Sequence, residues 1–166
     1  MIIYTSGSTG QPKGVMHSFE RICAVSEGIN KRMSETLGQD SSNRVLSYLP
    51  LAHVFERSFI EAYSFFNGKI HVFFAESLDT FVQDLNRAKP TLFISVPRLW
   101  LKFQQGVAQK MPPAKLNLLL SIPILGRIVA KKVLTGLGLD QVKIAASGSA
   151  PLPPSLINWY RRLGLN

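Results

Sequence analysis

The residues best suited to chemistry lie in one run, Tyr4-Thr5-Ser6-Gly7-Ser8-Thr9-Gly10-Gln11-Pro12-Lys13-Gly14-Val15. Thr5, Ser6, Ser8 and Thr9 supply hydroxyl donors. Gly7, Gly10 and Gly14 tolerate positive φ and let backbone N–H groups face a ligand. Lys13 adds a positive charge. A loop of donors with one cation suits a polyphosphate, where each hydrogen bond to a charged group contributes about 1.5–3 kcal/mol. Two phosphate loops are excluded by residue order. A Walker A loop has Gly before its Lys and Ser or Thr after it, whereas Pro12 and Gly14 flank Lys13 here. The dinucleotide fingerprint G-x-G-x-x-G is absent as well. A flexible linker shares the Gly and Ser content, but it rarely ends in Pro-Lys-Gly between an apolar strand and a helix.

The elements that must position this loop follow from periodicity. Residues 2–6 form a short apolar strand that runs into the loop. The loop itself, from Gly7 to Gly14, is too rich in Gly, Ser and Pro for a regular element. Helical spacing predicts helices over 18–37, 53–66, 78–88, 98–109 and 153–163. Residues 115–137 read as helical in two pieces, broken at Pro123. Short apolar runs predict strands over 45–49, 69–74, 91–96 and 143–146. Alternating short strands and helices imply an α/β fold, layered, with a largely parallel sheet flanked by helices. Ligands in such sheets sit beyond the carboxyl ends of strands. Three loops fall there: the Gly-rich loop, the turn after 45–49 and the turn after 143–146.

Composition narrows the classes. The chain has 166 residues, 46% hydrophobic and 17% charged, which is too apolar for a disordered chain. One cysteine excludes a disulfide framework and a four-cysteine zinc site. Nineteen Lys and Arg against ten Asp and Glu leave a net charge of +9. The basic residues are scattered apart from Lys31-Arg32, Lys131-Lys132 and Arg161-Arg162, which is not the clustered pattern of a nucleic-acid surface. No signal peptide is visible at Met1. The longest uncharged stretch, 144–160, holds Pro151, Pro153 and Pro154 and cannot span a membrane as a helix. The expected setting is cytoplasmic and reducing. Segment 116–137 places leucines and isoleucines beside Arg127, Lys131 and Lys132. That composition suits either peripheral contact with the inner membrane face or packing against another part of a larger protein. His17 and His71 read as structural. Cys23 reads as a core residue on an apolar helix face.

Tyr4–Val15 resembles the phosphate-binding loop of the acyl-adenylate-forming superfamily. Leu49-Pro50-Leu51-Ala52-His53-Val54-Phe55-Glu56-Arg57 is similar to that family's second motif in its long-chain fatty acyl-CoA synthetase form. Ser95-Val96-Pro97-Arg98-Leu99-Trp100 and Ala146-Ser147-Gly148-Ser149-Ala150-Pro151-Leu152 also match, in the family's order. The resemblance implies a fragment of an ATP-dependent long-chain fatty acid–CoA ligase, using ATP, Mg²⁺ and coenzyme A. Such an enzyme activates a carboxylate as acyl-AMP and then forms an acyl-CoA thioester. By resemblance, Thr5, Ser6, Gly7, Ser8, Thr9, Gly10 and Lys13 cradle the β- and γ-phosphates, with Thr5 near Mg²⁺. His53 lies near the α-phosphate and the acyl carboxylate. Gly148, Ser149, Ala150 and Pro151 line the adenine. Lys13 and His53 are the expected catalytic residues. Arg98 matches a recurrent family position, and a structural ion pair is its alternative. The resemblance makes residues 1–166 an internal part of the large N-terminal adenylation domain. The family's Tyr-Gly-x-Thr-Glu motif and its C-terminal domain are absent from this sequence, and the segment alone is expected to be inactive. The alternative class is a non-catalytic nucleotide-binding or structural module.

Overall fold

A computed structural model describes residues 1–5, 10–38 and 42–166. They form two compact units, Met1–Phe74 and Ala75–Asn166.

The first unit begins with β1 (Ile2–Thr5) and β2 (Lys13–Met16), paired antiparallel with Thr5 opposite Lys13 and Ile2 opposite Met16. This strand β2 corrects the reading of Gly7–Gly14 as wholly irregular. Lys13 and Gly14 are ladder residues, because an antiparallel pairing needs only a partner strand and places few demands on side chains. The hairpin is closed at its open end by Met1 and His17. His17 N–H donates to the Met1 carbonyl at 2.8 Å, and the Met1 ammonium donates to the His17 carbonyl at 2.9 Å.

Helix α1 (Phe19–Leu37) starts at Ser18, whose side chain accepts from the Arg21 N–H at 3.3 Å. Serine at this position satisfies an amide that has no partner inside the helix. Cys23 is exposed, not buried as expected. The face α1 buries is marked by Ser26, whose hydroxyl is absorbed by the Ile22 carbonyl at 2.9 Å. Strand β3 (Asn43–Ser47) pairs parallel with β4 (Ile70–Phe74). Between them runs a helix whose middle, Glu56–Ala62, is π-helical and continues as α2 (Tyr63–Asn67). The periodicity of 53–66 does not reveal the π turns, since Phe55 and Phe59 stack at 4.8 Å and an i, i+4 pair reads as an ordinary helix. Asn67 donates to Asn30 at 2.6 Å and ties α2 to α1.

The second unit holds α3 (Phe81–Ala88), β5 (Leu92–Ser95), α4 (Pro97–Lys110), α5 (Pro113–Ser121), α6 (Pro123–Leu137), β6 (Ile144–Ser147) and α7 (Pro154–Arg162). Pro97, Pro113, Pro123 and Pro154 each open a helix, where a missing N–H costs nothing. Strands β5 and β6 pair parallel, with Ser95 opposite Ser147. Every residue of β5 is buried, as its continuous apolar run requires.

An aromatic cluster joins β5, α4 and α7. Trp100 meets Phe93 edge-on at 5.2 Å and Tyr160 at 4.9 Å, and the Tyr160 hydroxyl donates to the Trp100 carbonyl at 2.7 Å. Edge-to-face pairs of this kind add about 0.5–1.5 kcal/mol beyond their burial. The mixed α/β architecture, with parallel strand pairs flanked by helices, agrees with the fold read from periodicity. The antiparallel β1–β2 hairpin is the departure from it. Among the described residues no helix is long and apolar enough to cross a membrane.

The contact between α6 and α3 turns on one glycine. Gly138 ends α6 with φ of 73°, and a Cβ there would lie 2.7 Å from Leu85 Cβ and 2.8 Å from the Asn86 nitrogen. Gly138→Ala therefore strains the backbone and pushes on the backbone of α3, which cannot yield as a flexible side chain would. The expected loss is about 2–5 kcal/mol, combining left-handed strain and overpacking. A urea unfolding midpoint measures it. A midpoint equal to wild type would mean that α3 and α6 are loosely packed.

Candidate active site

The candidate residues lie at three strand ends, two in the first unit and one in the second. The first is the β1–β2 hairpin. Thr5 ends β1, and its hydroxyl donates to the Lys13 carbonyl at 3.5 Å, a long contact that leaves the oxygen's lone pairs unused. Lys13 opens β2 with its side chain exposed. Gly10 has φ of 79°, and a Cβ there would meet nothing within 4 Å. Its glycine is needed for backbone conformation and not for space. Ser6, Gly7, Ser8 and Thr9, which the resemblance assigns to the phosphates, lie outside the described residues. The pairing thus sets Thr5 opposite Lys13, with both residues exposed at this end of the hairpin.

The second strand end is β3. Beyond Ser47 the chain turns at Pro50–His53, with the His53 N–H donating to the Pro50 carbonyl at 2.8 Å. His53 then starts the helix in two ways. Its Nδ1 accepts from the Phe55 N–H at 3.2 Å, and its carbonyl accepts from the Arg57 N–H at 3.2 Å. With Nδ1 used as an acceptor, the neutral ring carries its proton on Nε2. The exposed imidazole can therefore offer an N–H donor to an anionic ligand.

Two neighbouring residues hold this turn, and neither had a role assigned from sequence. Glu56 is fully buried. Its Oε1 accepts from the Ser47 hydroxyl at 2.5 Å, while Oε2 has no hydrogen-bond partner among the described residues. Burial pushes the Glu56 carboxyl above its ordinary range; the Ser47 hydroxyl, the backbone of Tyr48 and Leu49, and the nearby His53 pull it partway back. Arg57 acts from the other side. Its Nε donates to the Leu51 carbonyl at 3.1 Å, and its Nη1 contacts both Glu61 oxygens at 2.8 and 2.6 Å. The turn carrying His53 is thus pinned at its start by Glu56 and in its middle by Arg57. The signal in the sequence was a Glu three residues after a His, followed directly by Arg57 in a largely apolar stretch. Its burial is a property of the tertiary structure.

The third strand end is β6. The Gly148 N–H donates to the Ser95 carbonyl at 3.0 Å, which extends the β5–β6 pairing by one residue. Ser149 then adopts φ of 70°. That conformation is uncommon for a residue with a Cβ and costs on the order of 1–3 kcal/mol. Strain of this kind concentrates where a backbone must approach a ligand. Ser149, Ala150 and Pro151 are exposed. Beside them lies a cavity of about 300 Å³, lined by Trp100, Ala146, Ser147, Leu152 and Tyr160. Trp100 Nε1 and Ser147 Oγ are both buried without a hydrogen-bond partner among the described residues. Arg98 is exposed on the first turn of α4. His71 is exposed on β4, and His17 serves the hairpin through its backbone. Among the described residues no group of three or more His, Cys, Asp or Glu could hold a metal ion.

The chain is 38% identical over 184 residues to the peroxisomal acyl-CoA ligase 891 of Penicillium brevicompactum, covering 96% of this chain and 25% of that protein. It is 33% identical over 183 residues to long chain acyl-CoA synthetase 3 of Arabidopsis thaliana, covering 96% of this chain and 27% of that protein. The chain thus spans about a quarter of the length of the curated relatives it matches. Among solved structures it resembles the A domain of carboxylic acid reductase from Segniliparus rugosus, in complex with AMP and a co-purified carboxylic acid. The TM-score is 0.71 at 25% identity, covering 98% of this chain and 25% of that one. The model of the AMP-binding enzyme family matches residues 1–166, and the chain belongs to that family.

Proposed function

We propose that residues 1–166 are part of the adenylation domain of a longer enzyme, an ATP-dependent long-chain fatty acid–CoA ligase. One observation carries the reading. Within its own unit, each group of candidate residues lies at or just beyond a strand carboxyl end: Thr5 at the end of β1, His53 in the turn after β3, and Gly148–Pro151 after β6. That is where α/β sheets bind ligands. Lys13 enters through the hairpin, opposite Thr5.

The chemistry suits these groups. A carboxylate oxygen attacks the α-phosphorus of ATP, and pyrophosphate leaves. The thiol of coenzyme A then attacks the acyl carbon, and AMP leaves. In the first step, negative charge grows on the departing pyrophosphate, and Lys13 with the hydroxyls near it lowers that cost by prepositioned charge. His53 Nε2 supplies a donor toward the α-phosphate or the acyl carboxylate. The strained Ser149 backbone and its small neighbours admit a flat adenine. Thr5 is the candidate Mg²⁺ contact on this chain, through the lone pairs its long bond to Lys13 leaves unused. The long-chain preference is supported by the form of the His53 motif and by the name of one relative above, long chain acyl-CoA synthetase 3.

The test is ATP–pyrophosphate exchange by the full-length enzyme, with palmitate or acetate as the acid. Exchange that depends on palmitate, followed by palmitoyl-CoA formation when coenzyme A is added, is the expected result. The separate 1–166 segment is expected to form no acyl-CoA. No exchange with any fatty acid would overturn the reading.

A further inference from the structure

We propose that the outer face of α5 and α6 docks on an anionic phospholipid surface. The net charge of the chain is unevenly divided. Residues 75–166 contain twelve Lys and Arg but only four Asp and Glu. They therefore account for +8 of the chain's net charge of +9. From Leu85 to Leu139 there are nine basic residues and no acidic one.

Helix α6 separates two faces. Gly126, Ala130, Leu134 and Leu137 are buried, which fixes the inward side. At about 100° per residue, Ile124 and Ile128 point away from them. They are 78% and 60% exposed. Leu118 on α5 is 66% exposed, and Ile122 at the bend between the helices is exposed too. Lys131 and Lys132 lie one turn beyond Ile128, and both are exposed. This is the pattern of an interfacial helix, with apolar side chains entering the headgroup boundary and cations flanking them.

The same corner also holds a headgroup-sized cavity. A hollow of about 360 Å³ lies beside α6, and Arg127, Lys131, Arg161 and Arg162 line it with a single acid, Asp140. Four cations around one carboxylate select an anion such as a lipid phosphate. A nucleic acid is the poorer match, because sequence-independent strands stack on aromatic side chains. There is none between Phe103 and Trp159. Charge and apolar surface therefore coincide in the way a bilayer requires, and the surface does not depend on the catalytic reading above.

The experiment is sedimentation of the full-length enzyme with vesicles of equal parts phosphatidylglycerol and phosphatidylcholine, against vesicles of phosphatidylcholine alone. Binding is expected to the first and to fall with added salt. Each basic residue near an anionic bilayer raises partitioning about fivefold, so Lys131→Gln with Lys132→Gln should weaken binding about 25-fold. Ile124→Gln with Ile128→Gln should weaken it by roughly tenfold or more. Both double variants should keep the wild-type melting temperature, because the altered side chains face solvent. Equal vesicle binding by wild type and variants overturns the proposal. So does a clear fall in melting temperature for the isoleucine variant, which would show that another part of the enzyme covers this face.

Discussion

Lys13→Ala in the full-length enzyme is expected to slow acyl-adenylate formation by about 10²–10³-fold, the usual cost of removing one prepositioned donor from a developing anion. Two features make the variant informative. Lys13 is exposed on β2, so stability should change by no more than about 0.5 kcal/mol. The hairpin pairs Lys13 with Thr5 through the backbone, so the strand survives the loss of the side chain. Single-turnover pyrophosphate release measures the step. If the charge acts on the leaving group, kcat falls while the KM for the fatty acid stays nearly constant. Lys13→Arg keeps the charge and should recover part of the rate. An unchanged rate in the alanine variant would remove Lys13 from the phosphate site.

The second large effect is expected at Glu56. Glu56→Ala leaves the Ser47 hydroxyl and the polar backbone of Tyr48 and Leu49 facing a void. Each buried group left unsatisfied costs about 1–3 kcal/mol, so the expected loss is about 3 kcal/mol or more. Urea unfolding measures it, and a loss below about 1 kcal/mol would mean that water reaches the site.

The carboxyl also predicts a pH dependence. Its folded-state pKa is raised above the ordinary value near 4.5, because burial disfavours the charged form. The folded protein therefore binds this proton more tightly than the unfolded chain. The stabilisation is complete below the ordinary value and is lost as pH rises through the raised one. Glu56→Gln carries no such proton. Any stability advantage of wild type over Glu56→Gln should thus be greatest in acid and shrink toward neutral pH. Melting temperatures of both proteins across that range test it. A gap that widens with pH would show that Glu56 stays ionised in the folded state.

Much of the fold was legible because its signals are local. The 3.6-residue apolar period located α1, α3, α4 and α7 to within a few residues, and Pro123 marked the break between α5 and α6. The continuous apolar run at 91–96 announced β5, which is buried throughout. Strand β2 was not legible, since Lys13-Gly14-Val15-Met16 has neither alternation nor β-branched density. It is a strand because β1 lies beside it. Cys23 was misplaced for a related reason. Spacing showed that α1 has an apolar stripe, but only the neighbours packed on the helix decide which part of it is covered.

The candidate site divides in the same way. The sequence by itself determined the chemical types: hydroxyls, glycines and one lysine in a run, a histidine after a strand, and small residues after another. These are properties of side chains and of neighbours a few positions apart. Only the tertiary structure decided that Glu56 is buried against Ser47, that Ser149 is held at positive φ, and that Ile124 and Ile128 face solvent beside a basic cavity. Those facts depend on residues far apart in the chain meeting or failing to meet. Burial, and with it the carboxyl's raised pKa, belongs to the packed structure and to no stretch of sequence alone.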